Sequence, residues 1–293
     1  MRVLHLDSGR EMRGGQWQVL RLLEGLRAAG IESVLLARTG SPLYRRVAEN
    51  RWPVEPLNLA GVLRHAGRCD LIHPHDGRSH TLAAMACRTP LVVARRVAFP
   101  IGSRWKYQRA ARYIAVSQYV KSILISGGVP EQSIAVVYDG VPLLPPANGS
   151  LALAPANTDD PHKGTALALE SAALAGVPLR LTANLQQDLS EAGLFVYITH
   201  SEGLGSAALL AMSAAVPVVA SDTGGLREVI AQGENGLLVE NSLPAIVAAL
   251  REIAQNSAFA RQLGQAGRRT VEERFTTQRM VEQTIGVYRQ VLS

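Results

Sequence analysis

The sequence predicts an α/β protein of two Rossmann-like halves. Each is a parallel sheet with helices on both faces, and the two face each other across a cleft. Short Val- and Leu-rich runs alternate with amphipathic helical patterns along most of the chain, the signature of strands buried on both faces. The run VPLLPPANGS (141–150) breaks this alternation with three prolines, an Asn and a Gly, which make a stiff non-helical connector. No period of 20–50 residues recurs, so a solenoid is excluded.

The elements follow in order. MRVLHL (1–6) reads as a strand, QVLRLLEGLRAAG (18–30) as a helix stopped by Gly30, and SVLLA (33–37) as a second strand. YRRVAEN (44–50) is helical, VEPLNL (54–59) extended, DLIHPH (70–75) a strand, HTLAAMACR (80–88) a helix and LVVARR (91–96) a strand. YIAVS (113–117), the helix YVKSILISGG (119–128) and IAVVYDG (134–140) complete the first half. Beyond the connector come LALAPA (151–156), the helix 165–176, LRLTAN (179–184), LFVYIT (194–199), the helix 206–215, PVVASD (217–222) and GLLVE (236–240). From Pro244 onward the pattern is helical. The expected domains are 1–143 with a returning final helix at 276–293, and a trimmed second domain at 147–275.

Composition narrows the function classes. The chain has 47% hydrophobic residues, enough for real cores and too many for a disordered chain. The longest strongly apolar run, 209–220, is too short to span a bilayer and contains Pro217. The first residues read as a strand rather than a secretion signal, so a cytoplasmic location is expected. Cys69 and Cys87 show no metal spacing and are expected as reduced thiols. Charge is asymmetric: residues 1–147 hold 20 Lys and Arg against 10 Asp and Glu, whereas 148–293 hold 10 against 14. A basic first half suits an anionic partner: a lipid surface, a phosphorylated substrate or nucleic acid.

The informative residues stand at strand ends, where ligands bind in open α/β sheets. After the first strand, Gly14 and Gly15 let backbone N–H groups approach an anion at a helix start. The pattern is not GxGxxG and no acid is placed to hold a ribose, so a dinucleotide cofactor is not expected. In the second half Lys163 precedes a helix, a position suited to a pyrophosphate. HSEGLGSAALLAM (200–212) sets Glu202 in a glycine turn ahead of a buried helix. The turn's amides suit phosphate oxygens, and a carboxylate beside them suits a neutral, hydroxyl-rich group such as a sugar. His73, His75 and His80 crowd one strand end and raise zinc. Pro74 between the first two, and the lack of a second motif, argue against a metal. His75, Asp76 and Arg78 are read as lining an acceptor site. The stretch 95–112 mixes basic residues with Phe99, Trp105 and Tyr107, a composition suited to a membrane or glycolipid surface. No nucleic-acid module accompanies it.

Several blocks together carry a resemblance. HSEGLGSAALLAMSAAVPVVASDTGGLREVIAQGENGLLVE is similar to the donor-site block of the retaining family 4 glycosyltransferases of GT-B fold. AVSQYVKSILISGGVPEQSIAVVYDGV, RGGQWQVLRLLEGL and DLIHPHDGRSH resemble further blocks of that family, in the same order. The resemblance implies a retaining transferase that takes a nucleotide-diphosphate sugar, of UDP or GDP type, as co-substrate. No metal or other cofactor and no nucleic-acid partner are expected. The acceptor would be a glycan or lipid-linked glycan of the cell envelope, met at the inner face of the cytoplasmic membrane. By the same resemblance Glu202 binds donor-sugar hydroxyls. Gly203, Leu204, Gly205 and Ser206 face the sugar and diphosphate, Lys163 neutralises the leaving diphosphate, and Gly14 and Gly15 close over the donor. Arg95 or Arg96 stands where the family often has His, and either meets the diphosphate or an anionic acceptor. Departures are also legible: Leu210 replaces the family's usual second Glu, Thr158 replaces a common basic residue, and a strand–helix segment near 184–188 is missing. These departures leave open a non-catalytic binding protein. A sugar-nucleotide epimerase fits the transferase-type block less well.

Overall fold

A computed structural model describes residues 1–86, 88–156 and 163–293. Cys87 and Thr158 lie outside the described residues. The chain divides into two compact units, one of Met1–Asp139 with Thr277–Ser293 and one of Gly140–Thr276.

Unit 1 contains β1 (Arg2–Asp7), α1 (Gly14–Ala28), β2 (Glu32–Ala37), α2 (Pro42–Glu49), β3 (Val54–Pro56), α3 (Leu59–Ala66), β4 (Leu71–Pro74) and α4 (Gly77–Ala86). It continues with β5 (Val92–Arg95), α5 (Arg104–Tyr107), β6 (Arg112–Ala115), α6 (Gln118–Ser126) and β7 (Ile134–Val136). The strands form two parallel ribbons, β3-β2-β1-β4 and β5-β6-β7. A bridge between Ile72 and Leu91 joins them edge to edge. The inner strands are buried on both faces, which is why they read as continuous apolar runs rather than alternating ones.

Local chemistry sets the helix starts. Ser41 Oγ accepts from Tyr44 N with Pro42 in the first turn of α2, and Ser117 Oγ accepts from Val120 N at α6. The extended reading of VEPLNL holds only to Pro56. Asn58 Oδ1 accepts from Gly61 N at 2.7 Å and starts α3, a helix absent from the sequence-based assignment. Unit 1 is closed by the last helix, α13 (Thr277–Leu292). Its Met280, Val281, Ile285 and Tyr288 pack with Leu22 and Leu26 of α1 and with Val3, Leu71 and Val92. Each such buried side chain contributes about 1.5–3 kcal/mol relative to exposure. Gly25 of α1 permits this approach, because a Cβ there would stand 2.3 Å from Val281.

Unit 2 contains β8 (Leu151–Pro155), α7 (Thr165–Ala175), β9 (Leu179–Thr182), α8 (Leu185–Asp188), β10 (Ala192–Tyr197), α9 (Ser206–Ser213) and β11 (Val218–Ser221). After these come α10 (Leu226–Val229), β12 (Leu237–Val239), α11 (Leu243–Gln255) and α12 (Ser257–Arg274). The five strands form one parallel sheet in the order β12-β11-β10-β8-β9. Helices α7 and α11 and part of α12 cover one face through Ala168, Ala172, Ile246, Leu250 and Leu263. Among the described residues no helix is long and apolar enough to cross a membrane.

Candidate functional site

In unit 2 the polypeptide turns sharply after β10. Thr199 pairs with Lys163 in an antiparallel bridge, and Gly164 N donates to Ile198 O at 3.0 Å. That bridge brings the residue before α7 to the carboxyl end of β10. Lys163 Nζ then lies 2.8 Å from Glu202 Oε2, with both side chains largely buried. Tyr197 OH stands 2.5 Å from the same oxygen and 3.2 Å from Lys163 Nζ. The ammonium also sits 5.2 Å from the Tyr197 ring centre. The two residues read separately from the sequence are therefore one cluster, with Tyr197 as a third member that no motif announced.

The turn itself is held by backbone. Gly225 N donates to Glu202 O at 3.2 Å, and a Cβ on Gly225 would stand 2.0 Å from Gly203 O. Gly205 has φ +105°, a left-handed conformation natural to glycine, and caps α9 with no side-chain bond. The first-turn amides of α9, beginning at Ser206, are thus not taken by a side-chain cap, and the helix dipole favours an anion there. Leu204 is buried. From behind, Ser221 Oγ accepts from Thr199 N at 2.8 Å, and Asn241 Nδ2 donates to Thr199 O at 3.0 Å. Leu210 is buried within α9 and presents no polar group.

In unit 1 the predicted residues separate into structural and unspent ones. Asp76 accepts from Ser8 N, Ser8 Oγ, Arg78 N and Ser79 N, so its carboxylate caps α4 and ties it to the turn after β1. Arg78 is exposed, and its guanidinium makes no bond among the described residues. Arg95 gives Nη1 to Tyr107 OH and Nη2 to the Phe99 carbonyl, and its buried Nε has no hydrogen-bond partner among the described residues. Arg96 differs: its Nε donates to Asp139 Oδ1 at 3.1 Å, and Nη1 stands 3.4 Å from His75 Nδ1. Its Cδ lies 3.8 Å from where a Cβ on Gly15 would be, beside the start of α1. That start carries no side-chain cap and no acid in its first turn.

His75 belongs to a buried cluster with His5 and His73, each presenting a ligand-type nitrogen within 4.8 Å of the others. His80 is elsewhere: its Nε2 donates to the Lys106 carbonyl and its ring meets Tyr107 edge-on. The histidine group in the structure is thus His5, His73 and His75, not the trio suggested by spacing. Burial pushes His5 down to about 3 and His73 and His75 well below the ordinary imidazole value, with neighbouring charge adding to the last two. A guanidinium only donates, so His75 Nδ1 is the acceptor and its Nε2 carries the proton, directed at His5 Nδ1 3.0 Å away. His73 Nδ1 lies 2.6 Å from Tyr288 OH on α13.

Residues 12–143 match the family described as Glycosyltransferase Family 4, and residues 160–270 match Glycosyl transferases group 1. A 118-residue stretch is 42% identical to alpha-maltose-1-phosphate synthase of Mycolicibacterium smegmatis, covering 38% of this chain and 30% of that protein. A 96-residue stretch is 29% identical to the capsular polysaccharide biosynthesis glycosyltransferase CapM of Staphylococcus aureus, covering 32% of this chain and 25% of that protein. The matched stretches thus span less than a third of these curated relatives. The crystal structure of Anabaena HepE in complex with UDP and glucose has a TM-score of 0.87 to this chain at 17% identity, covering 99% of this chain and 100% of that one. The fold is GT-B, and the chain belongs to family 4 of the glycosyltransferases.

Proposed function

We propose that this chain moves a sugar from a nucleotide-diphosphate donor to a glycan or lipid-linked acceptor, with retention of anomeric configuration, in envelope polysaccharide synthesis. The observation that carries the reading is the Lys163–Glu202 pair beside the uncapped start of α9. An ammonium and free amides suit a leaving diphosphate, whose departure needs charge stabilisation more than a proton. A carboxylate in the same turn suits sugar hydroxyls. In this reading Lys163 turns to the diphosphate, Glu202 accepts from the sugar, and the segment from Gly203 to Ser206 lines both. In unit 1, Gly14 and Gly15 offer amides to phosphate, and Arg96, rather than the already occupied Arg95, meets an anionic oxygen. His75, Asp76 and Arg78 border the acceptor, with Asp76 acting through the turn it holds. No metal or cofactor enters the scheme. The UDP and glucose bound by Anabaena HepE support a UDP-type donor, and the role named for CapM supports an envelope acceptor. The basic residues of unit 1 favour a peripheral position on the inner face of an anionic membrane.

Incubation with UDP- and GDP-sugars, followed by chromatography of free nucleotide, tests the reading. Slow hydrolysis that disappears in Glu202→Ala is expected, and the anomeric coupling in NMR spectra of a transfer product reports retention. Nucleotide binding without turnover, even with a lipid extract as acceptor, favours a non-catalytic binder, for which the apolar Leu210 at the second carboxylate position is the supporting observation.

A further inference from the structure

Arg96 and Asp139 come from opposite edges of one ribbon. Arg96 directly follows β5 and Asp139 lies just beyond β7, with β6 between them, and all three strands run parallel. The two side chains therefore meet over the carboxyl end of β6, 43 residues apart in sequence. Both are largely buried, 13% and 9% exposed. Asp139 binds Arg96 through Nε, the nitrogen nearest the aliphatic stem, at 3.1 Å. That choice fixes the direction of the whole guanidinium plane. Nη1 is left with only the long contact to His75, and Nη2 has no hydrogen-bond partner among the described residues. A buried arginine held at Nε, with Nη2 unspent and Nη1 engaged only by a long contact, has donors to offer a phosphate or carboxylate edge. Asp139 also feels the charge of the buried Arg21 of α1. The charge around the pair is mixed: Glu24 also acts on Arg21, and Arg96 also acts on Asp7, which feels Asp76 as well.

We infer that Asp139 is the positioning residue of unit 1: it turns Arg96 so that the terminal guanidinium nitrogens are offered to a phosphate oxygen of a substrate. This rests on the reading that Arg96 meets an anionic group. Asp139 itself touches no substrate. The phosphate belongs either to the nucleotide donor or to a phosphorylated acceptor, a question that two probes separate.

The test is calorimetric titration of the full chain with UDP and, separately, with glucose 1-phosphate, using Arg96→Ala, Asp139→Ala, Asp139→Asn and the Arg96→Ala/Asp139→Ala double variant. Thermal melting of each variant runs alongside. Arg96→Ala and Asp139→Ala are each expected to weaken one probe by about tenfold or more, the size of a charge-assisted hydrogen bond. The double variant should bind no more weakly than Arg96→Ala alone, because the second change removes an aim that no longer matters. Asp139→Asn keeps an acceptor oxygen and should recover part of the loss. Weakening confined to UDP assigns the donor diphosphate, and weakening confined to glucose 1-phosphate assigns the acceptor. Asp139→Ala that melts earlier but binds both probes as the parent does, while Arg96→Ala binds poorly, overturns the inference and leaves the role of Arg96 intact. Arg96→Ala that binds both probes normally removes that role and the inference with it.

Discussion

Lys163 Nζ and Glu202 Oε2 stand 2.8 Å apart although 39 residues separate them in sequence. The pair is shared with Tyr197 OH, so the cation and the anion hold each other before any substrate arrives. Removing either partner unmasks the other.

Glu202→Ala and Lys163→Ala should each lower kcat by about 10²–10³, the range for loss of one group that stabilises developing charge. The double variant should lie near the worse single variant rather than at their product. Steady-state release of UDP from a UDP-sugar measures this. Fully multiplicative losses would show that the two residues act independently.

Tyr197→Phe provides a gentler probe. The ring keeps its stack on Phe195, at 5.9 Å, and loses only the hydroxyl. Glu202 and Lys163 keep each other but lose a shared partner. Donor KM should rise several-fold, while melting changes by about 1 kcal/mol or less, the net worth of a typical hydrogen bond. An unchanged KM would assign the hydroxyl to stability alone.

Glycine space gives a third prediction. Gly225→Ala should destabilise unit 2 by about 1–3 kcal/mol, because the added Cβ meets Gly203 O at 2.0 Å and must push the turn aside. The bond from Gly225 N to Glu202 O would shift with it, so turnover should fall too. Gly67→Ala, with an ordinary φ of −74° and open space around it, is the control and should melt like the parent.

Stability should fall on mild acidification. Unfolded histidine takes a proton near pH ~6.5. In the folded chain burial holds His5 down to about 3 and His80 down to about 4, with His73 and His75 also well below the ordinary value. As pH drops from ~6.5 toward those lower values the unfolded state binds more protons, so it gains ground. Asp7 has the opposite sign. Burial and then Asp76 raise its pKa, so the folded state keeps that proton longer, above the usual carboxylate range. It is one group against four. Melting temperature by circular dichroism should therefore decline between pH 7 and pH 5, and less steeply in His80→Gln. A flat profile over that interval would contradict the buried neutral histidines.

The strands were the legible part of this chain. Buried parallel strands must be apolar throughout, so VLHL, VLLA, LFVY and VVAS declare themselves without partners. Helix α3 was not legible from its period, because Gly61 dilutes an eight-residue pattern. Its signal was the capping Asn58, two residues past Pro56. At the site, Glu202 and Lys163 were visible because glycine turns and helix starts restrict what can stand there. Tyr197, Asp139, His5 and Tyr288 were not, since their roles depend on partners 5 to 215 positions away that only the fold selects. His5 had one latent cue: it lies directly opposite His73 in the β1–β4 register, whereas His80, nearer in sequence, sits on a helix facing Tyr107.

Helix α13 is made after unit 2 yet packs with strands and a helix made before it. On the ribosome, then, the N-terminal core emerges with its apolar flank on α1 still bare, and waits while the whole of the other unit is synthesised and folds as an insertion. Only when Tyr288 clears the exit tunnel does His73 receive its partner, so translation speed and chaperone occupancy during that interval bear on the yield of this chain.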